Sequence, residues 1–138
     1  MAEITLQDIA HSYNPEAADK TYALNRFDMK WVDGGRYAIL GPSGCGKTTM
    51  LNIMSGIVRP SEGRLLFDGV DVTDHTTAER NIAQVFQFPV IYGTMTVQDN
   101  LAFPLVCRGY DKAFIKAKVA EVSEALNLEG LLTQSANK

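Results

Sequence analysis

A chain of 138 residues has the length of one compact domain and is too short for two ordinary ones. With 46% hydrophobic and 21% charged residues it has the balance of a folded globular protein, which excludes a disordered or fibrous one. A formal net charge of −3 argues against a surface built to hold DNA or RNA, so any phosphate is expected to be bound locally, by backbone and one or two cations.

Taken in chain order, Ile4-Thr5-Leu6-Gln7-Asp8-Ile9 begins with alternating side chains and Phe27-Asp28-Met29-Lys30-Trp31 alternates throughout, so both are predicted as half-buried strands. The polar stretch between them opens on the turn-forming Asn14-Pro15. Asp33-Gly34-Gly35 then turns the chain into Arg36-Tyr37-Ala38-Ile39-Leu40, a short apolar run suited to a buried strand. Met50, Ile53, Met54 and Ile57 fall at i, i+3, i+4 and i+7, the stripe of a helix laid on a sheet, with Gly56 and Pro60 bracketing its end. Gly63-Arg64-Leu65-Leu66-Phe67, closed by Asp68-Gly69, and Asn81-Ile82-Ala83-Gln84-Val85-Phe86 are predicted as further strands. Thr96-Val97-Gln98-Asp99 has the pattern of a helix start, and Pro104 is expected to kink or end that helix. Ile115, Val119, Val122 and Leu126 give an amphipathic helix with Asp111 placed to cap it. Residues 131–138 halt without a closing strand.

No apolar run is long enough to span a bilayer, and Met1-Ala2-Glu3-Ile4 lacks the basic start of a signal peptide, so a cytoplasmic protein is expected. In that reducing setting Cys45 and Cys107 are expected as free thiols. His11 and His75 stand apart from any Cys or His cluster, which predicts surface or turn positions rather than metal ligation.

Gly41-Pro42-Ser43-Gly44-Cys45-Gly46-Lys47-Thr48 satisfies G-x-x-x-x-G-K-[ST] between a strand pattern and a helix pattern, the context that gives such a match its meaning. Glycines let the backbone fold tightly round an anion, so that successive N–H groups and the helix N-terminus point at the phosphates of a nucleotide. Lys47 adds a point charge, the Thr48 hydroxyl is placed to ligate Mg²⁺, and Thr49 can donate to the phosphate behind it. A mere chain reversal needs one or two glycines, not three followed by Lys-Thr. One rival metal site, Leu65-Leu66-Phe67-Asp68, is an apolar run ending in aspartate, but Gly69 marks a turn and no neighbouring acid can serve as base. Asp68 is therefore expected to be structural.

Three blocks narrow the choice among phosphate-binding loops. Tyr37-Ala38-Ile39-Leu40 with the loop and Thr49-Met50-Leu51-Asn52 resembles the Walker A region of ABC ATPases; Arg80-Asn81-Ile82-Ala83-Gln84-Val85-Phe86-Gln87 resembles the strand leading into their Q-loop; and Met95-Thr96-Val97-Gln98-Asp99-Asn100-Leu101-Ala102-Phe103 resembles the opening of their helical subdomain. The fold this resemblance implies is α/β, of the P-loop NTPase, ABC type. It comprises an N-terminal antiparallel β-subdomain, part of a parallel core sheet and the start of a helical subdomain, incomplete over residues 1–138. Residues 1–87 hold the β-subdomain, P-loop and core, and residues 88–138 the Q-loop and helical start.

By the same resemblance the cofactors are ATP and Mg²⁺. Tyr13 matches the aromatic that stacks on adenine, with Tyr22 as its rival, and the amide of Gln87 reaches Mg²⁺ or the attacking water. The implied partners are a second ABC ATPase domain, as homodimer or heterodimer, and transmembrane permease subunits engaged through residues 88–108. No nucleic acid is expected. The protein would sit peripherally on the inner face of the cell membrane. The phrasing most resembles ATPases of importers for sugars, polyols or glycerol phosphates; a soluble ABC-type ATPase without a channel and a P-loop kinase of small metabolites are the other classes. The family's signature motif, Walker B carboxylates and switch histidine are not found in the 138 residues, so the chain by itself is expected not to hydrolyse ATP.

Overall fold

The computed structural model describes residues 2–17, 21–88 and 90–137. The elements are β1 (Ile4–His11), β2 (Leu24–Trp31), α1 (Lys47–Ser55), β3 (Glu62–Phe67), β4 (Val70–Asp71), α2 (Val97–Cys107) and α3 (Lys112–Ala125), followed by a 3-10 turn at Glu129–Leu131. They fall into two compact units, one reaching Val85 and one beginning at Phe86.

In the first unit β1 lies between β2 and β3, and the sheet order is β2-β1-β3-β4, antiparallel throughout. Strict alternation from Ile4 and Leu6 would send Asp8 into the core. A bulge between Leu6 and Ile9 prevents this, with Asp8 taking a φ of 51° so that Ile9 becomes the next core residue. The displaced Asp8 N–H donates to Asp28 Oδ1 at 2.8 Å. Gly63 faces the bulge at a φ of 87°, and a Cβ there would stand 2.4 Å from Gln7 O and 2.5 Å from Asp8 O, so only glycine fits. Asp68 and Gly69, both at positive φ, make the tight β3–β4 hairpin, and Asp68 exchanges bonds with Glu3: its N–H donates to Glu3 O and its Oδ1 accepts from Glu3 N–H. Asp68 is thus structural, as its sequence context indicates.

α1 places Met50, Ile53 and Met54 against Leu6, Ile9, Leu65 and Val72 to form the core of this unit. Gly56, in the left-handed region, ends the helix by donating to Asn52 O and Ile53 O.

Two of the predicted strands are corrected. Residues 36–40 and 81–86 are irregular, and no parallel strand pair occurs among the described residues. A buried strand needs a hydrogen-bonded neighbour on at least one edge, and these runs have none here, leaving Leu40 90% and Val85 98% exposed. Ile39 still reaches the core, and Tyr37 stacks on Trp31 at 5.1 Å. His11 is a third correction: it closes β1 and is buried, not at the surface.

In the second unit the Thr96 hydroxyl accepts from Asp99 N–H and the Asp99 carboxylate answers to the Thr96 backbone, a complete capping box at the start of α2. The next donors, Val97 and Gln98 N–H, reach Gln134 O and Leu132 O. Pro104 does not end α2, which runs three residues past it. Asp111 caps α3 by accepting from Ala113 and Phe114 N–H. The inner face of α3 follows Val119 and Ser123, while Val122 and Leu126 of the predicted stripe are exposed. No helix among the described residues is long and apolar enough to cross a membrane.

Candidate functional site

The loop of residues 41–48 is built by two left-handed glycines, Gly44 at φ 80° and Gly46 at φ 90°. Gly46 also lies close against the start of β2, where a Cβ would come within 2.6 Å of Ala23 O and 3.0 Å of Leu24 Cδ1. Gly41 is restricted from the other side, by Cys45 Sγ at 2.6 Å from its Cβ position. Pro42, Ser43, Gly44 and Cys45 are exposed along the loop.

α1 begins at Lys47 with no side chain capping its N-terminus and no acidic residue in its first turn. A helix N-terminus without a side-chain cap or an acid in its first turn presents its positive pole to an anion. The Lys47 ammonium folds over the loop, donating to Gly41 O at 2.8 Å and Pro42 O at 2.7 Å, with Cys45 Sγ at 3.6 Å. Both are neutral acceptors, so the cation has no carboxylate partner in these bonds and can be drawn to a phosphate. Thr48 is exposed, and its hydroxyl oxygen is the hard donor type that Mg²⁺ takes. Thr49 is buried and its Oγ1 lies 3.2 Å from the Tyr13 hydroxyl. The structure therefore brings Tyr13 to the same helix end as Lys47, Thr48 and Thr49. Tyr13 is 62% exposed, and its ring stands perpendicular to that of His11 at 4.6 Å. Tyr22 donates its hydroxyl to Glu62 at 2.7 Å.

Gln87 occupies an exposed bend at the beginning of the second unit. The loop after it is tied to α2 by Asn100, which donates to Tyr92 O and Thr96 O and accepts from Tyr92 N–H. Phe88, Val90, Ile91 and Tyr92 remain exposed there.

Three side chains escaped the sequence reading. Arg80 is buried and donates to Ile53 O at 2.6 Å, Met54 O at 3.1 Å, His75 O at 3.0 Å and Thr73 O at 2.9 Å. It fastens the carbonyl end of the helix whose other end carries the loop. Burial pushes the guanidinium below its ordinary range, against the pull of Asp74. Gly56 leaves room for it, since a Cβ would stand 2.9 Å from Arg80 Nε. Gln84 Nε2 donates to Asn52 Oδ1 at 3.2 Å, a second tie to α1. His11 is the third. Cys45 and Cys107 are both free and exposed.

Residues 24–138 match the family described as ABC transporter. The sulfate/thiosulfate import ATP-binding protein CysA of Thermosynechococcus vestitus is 38% identical over 128 residues, 93% of this chain and 37% of that protein. The trehalose import ATP-binding protein SugC of Mycobacterium tuberculosis is 38% identical over the whole chain and 34% of its own length. The sn-glycerol-3-phosphate import ATP-binding protein UgpC of Yersinia enterocolitica is 38% identical over 96% of this chain and 35% of its own. The chain thus spans about a third of the length of these relatives. Among solved structures, a dimeric post-hydrolysis state of the ATP-binding cassette MJ0796 bound to ADP and Pi superposes with a TM-score of 0.81 at 25% identity, over 97% of this chain and 62% of that one.

Proposed function

This chain belongs to the ABC transporter family, and from that premise we propose that it is the ATP-binding part of an import ATPase, taking Mg-ATP on the loop of residues 41–48. The observation that carries this reading is Lys47, whose ammonium lies over the loop on two neutral carbonyls at an uncapped helix N-terminus. An arriving triphosphate offers that ammonium anionic oxygens in place of Gly41 O and Pro42 O, adding an ion–ion attraction that a neutral carbonyl does not give.

In this reading Gly41, Pro42, Ser43, Gly44, Cys45 and Gly46 wrap the phosphates with backbone, and Lys47 and Thr49 hold them by side chain. Thr48 and Gln87 hold Mg²⁺, which supplies neutralisation of phosphate charge. Tyr13 offers its exposed ring to adenine. Hydrolysis is in-line attack of water on the γ-phosphate, promoted by positioning, with Gln87 orienting the water. It requires a second ABC ATPase domain, of the same or another chain, and residues outside this one.

The partner proposed for residues 88–108 is a permease subunit in the membrane, which keeps the protein on the cytoplasmic face. The exposed Phe88, Val90, Ile91 and Tyr92 support that docking role. A carbohydrate or polyol is the solute class proposed, supported by relatives named for trehalose and glycerol-3-phosphate import; others are named for sulfate and for molybdate.

Lys47→Ala tests the site. Nothing in the core depends on the Lys47 ammonium, so the variant should keep the wild-type circular dichroism and lose Mg-ATP binding in isothermal titration. An unchanged affinity with an unchanged fold would sink the reading.

A further inference from the structure

A buried histidine beside the site has no role in anything above. His11 is 7% exposed at the end of β1, in the same turn-and-strand segment as Tyr13. Its orientation is fixed by Ser61. The Ser61 hydroxyl lies 3.3 Å from His11 Nδ1 and is itself held by Ser12, accepting from its N–H and lying 3.1 Å from its carbonyl oxygen. The other ring nitrogen, Nε2, is buried and has no hydrogen-bond partner among the described residues. An aliphatic residue would fill the strand end without burying an unsatisfied nitrogen. What imidazole adds is a polarised ring, and it stands perpendicular to Tyr13 with centroids 4.6 Å apart, within the range of edge-to-face pairs. The turn between them is pinned by Ser12, whose hydroxyl donates to Thr21 O and accepts from Asn14 N–H. Tyr13 is thus held at its ring by His11 and at its hydroxyl by Thr49, while most of it lies open to solvent.

We propose that His11 is a positioning residue of the nucleotide site: its ring seats the Tyr13 ring for the base, and it acts on ATP only through Tyr13. The inference rests on the reading above that Tyr13 stacks on adenine. His11 then governs affinity for the base and leaves affinity for the phosphates untouched.

The test is isothermal titration of the protein with Mg-ATP and, separately, with magnesium tripolyphosphate, which has phosphates and no base. The variants are His11→Gln, which keeps a hydrogen-bonding group for Ser61 and loses the ring; His11→Phe, which keeps a ring and loses that group; Tyr13→Ala; and His11→Gln with Tyr13→Ala. The expected result is that His11→Gln weakens ATP about 3- to 10-fold, the scale of one aromatic pair, with tripolyphosphate unchanged. His11→Phe should recover most of the ATP affinity, and His11→Gln should add nothing once Tyr13 is alanine. Equal weakening toward both ligands, no recovery of ATP affinity in His11→Phe, or an additive loss in the double variant would overturn the inference and leave a merely structural histidine. If Tyr13→Ala weakens ATP while His11→Gln does not, the inference fails alone. Failure of the wild type to bind ATP, or of Tyr13→Ala to weaken it, removes the underlying reading and the inference together.

Discussion

Arg80 donates from a buried guanidinium to four backbone carbonyls, two of which, Ile53 O and Met54 O, belong to the last turn of α1, where Ile53 O also accepts from Gly56 N–H. Arg80→Ala leaves those acceptors buried beside a cavity, and we predict a loss of about 3 kcal/mol in urea unfolding, with the hydrogen bonds of a charged donor as the main cause. Arg80→Lys should recover less than half of it, because one ammonium cannot reach acceptors served by Nε, Nη1 and Nη2. A change within about 0.5 kcal/mol for Arg80→Ala would show that α1 ends securely without it. That Lys47, Thr48 and Thr49 open a helix directly after a glycine-rich loop was legible in the sequence, because the motif is contiguous and its geometry is set by local backbone. Arg80 and His11 were not: each is one polar residue whose burial is decided by partners 26 to 50 positions away. A solitary histidine in a polar neighbourhood carries no periodic signal, and the bulge at Asp8, which resets the face of β1 before His11, cannot be seen in an alternation pattern.

The starts of α2 and α3 were read correctly for the same local reason. Thr96 and Asp99 stand three apart and make their capping box within a single turn, so Thr96→Ala is expected to cost about 1 kcal/mol, seen as loss of far-UV helix signal at intermediate urea; an unchanged midpoint would mean that Leu132 O and Gln134 O alone hold the helix start. Strands were harder, because a ladder is a property of two segments. Residues 36–40 and 81–86 have the apolar composition of strands, yet no described residue pairs with them, and the division into two units falls where the second run ends. The turns after β3 carry a pH signature. Hydrogen bonds from Thr73 hold the Asp71 carboxyl below the usual carboxylate range, and those from Thr76 do the same for Glu79. A depressed carboxyl contributes stability above its unfolded pKa and loses it as pH falls through the lower folded value. The wild type should therefore lose thermal stability more steeply than the Asp71→Asn, Glu79→Gln double variant between about pH 5 and pH 3. Parallel curves would show that these bonds do not favour the ionised form.

At the scale of the whole molecule, we propose that the groups that bind phosphate and the groups needed to cleave it do not reside together among the described residues. In-line hydrolysis needs a carboxylate able to polarise water or anchor the metal close to the γ-phosphate. The apolar run that comes nearest to supplying one is residues 65–68, and its acid is committed elsewhere: Asp68 sits at a φ of 49° in a two-residue hairpin turn with Oδ1 accepting from Glu3 N–H at 2.8 Å. Around the loop itself the Lys47 contacts are carbonyls and a thiol, and the Thr49 contact is a tyrosine hydroxyl. None of these contacts is a carboxylate. Binding and turnover should consequently separate, with the 138-residue chain taking up Mg-ATP and releasing no phosphate from it. Isothermal titration paired with a phosphate-release assay, on wild type and on Lys47→Ala, decides the matter. Heat of binding in the wild type with phosphate release no higher than in Lys47→Ala is the expected outcome. Release by the wild type that vanishes in Lys47→Ala would mean that a base exists within these residues and that the proposed division of labour is wrong.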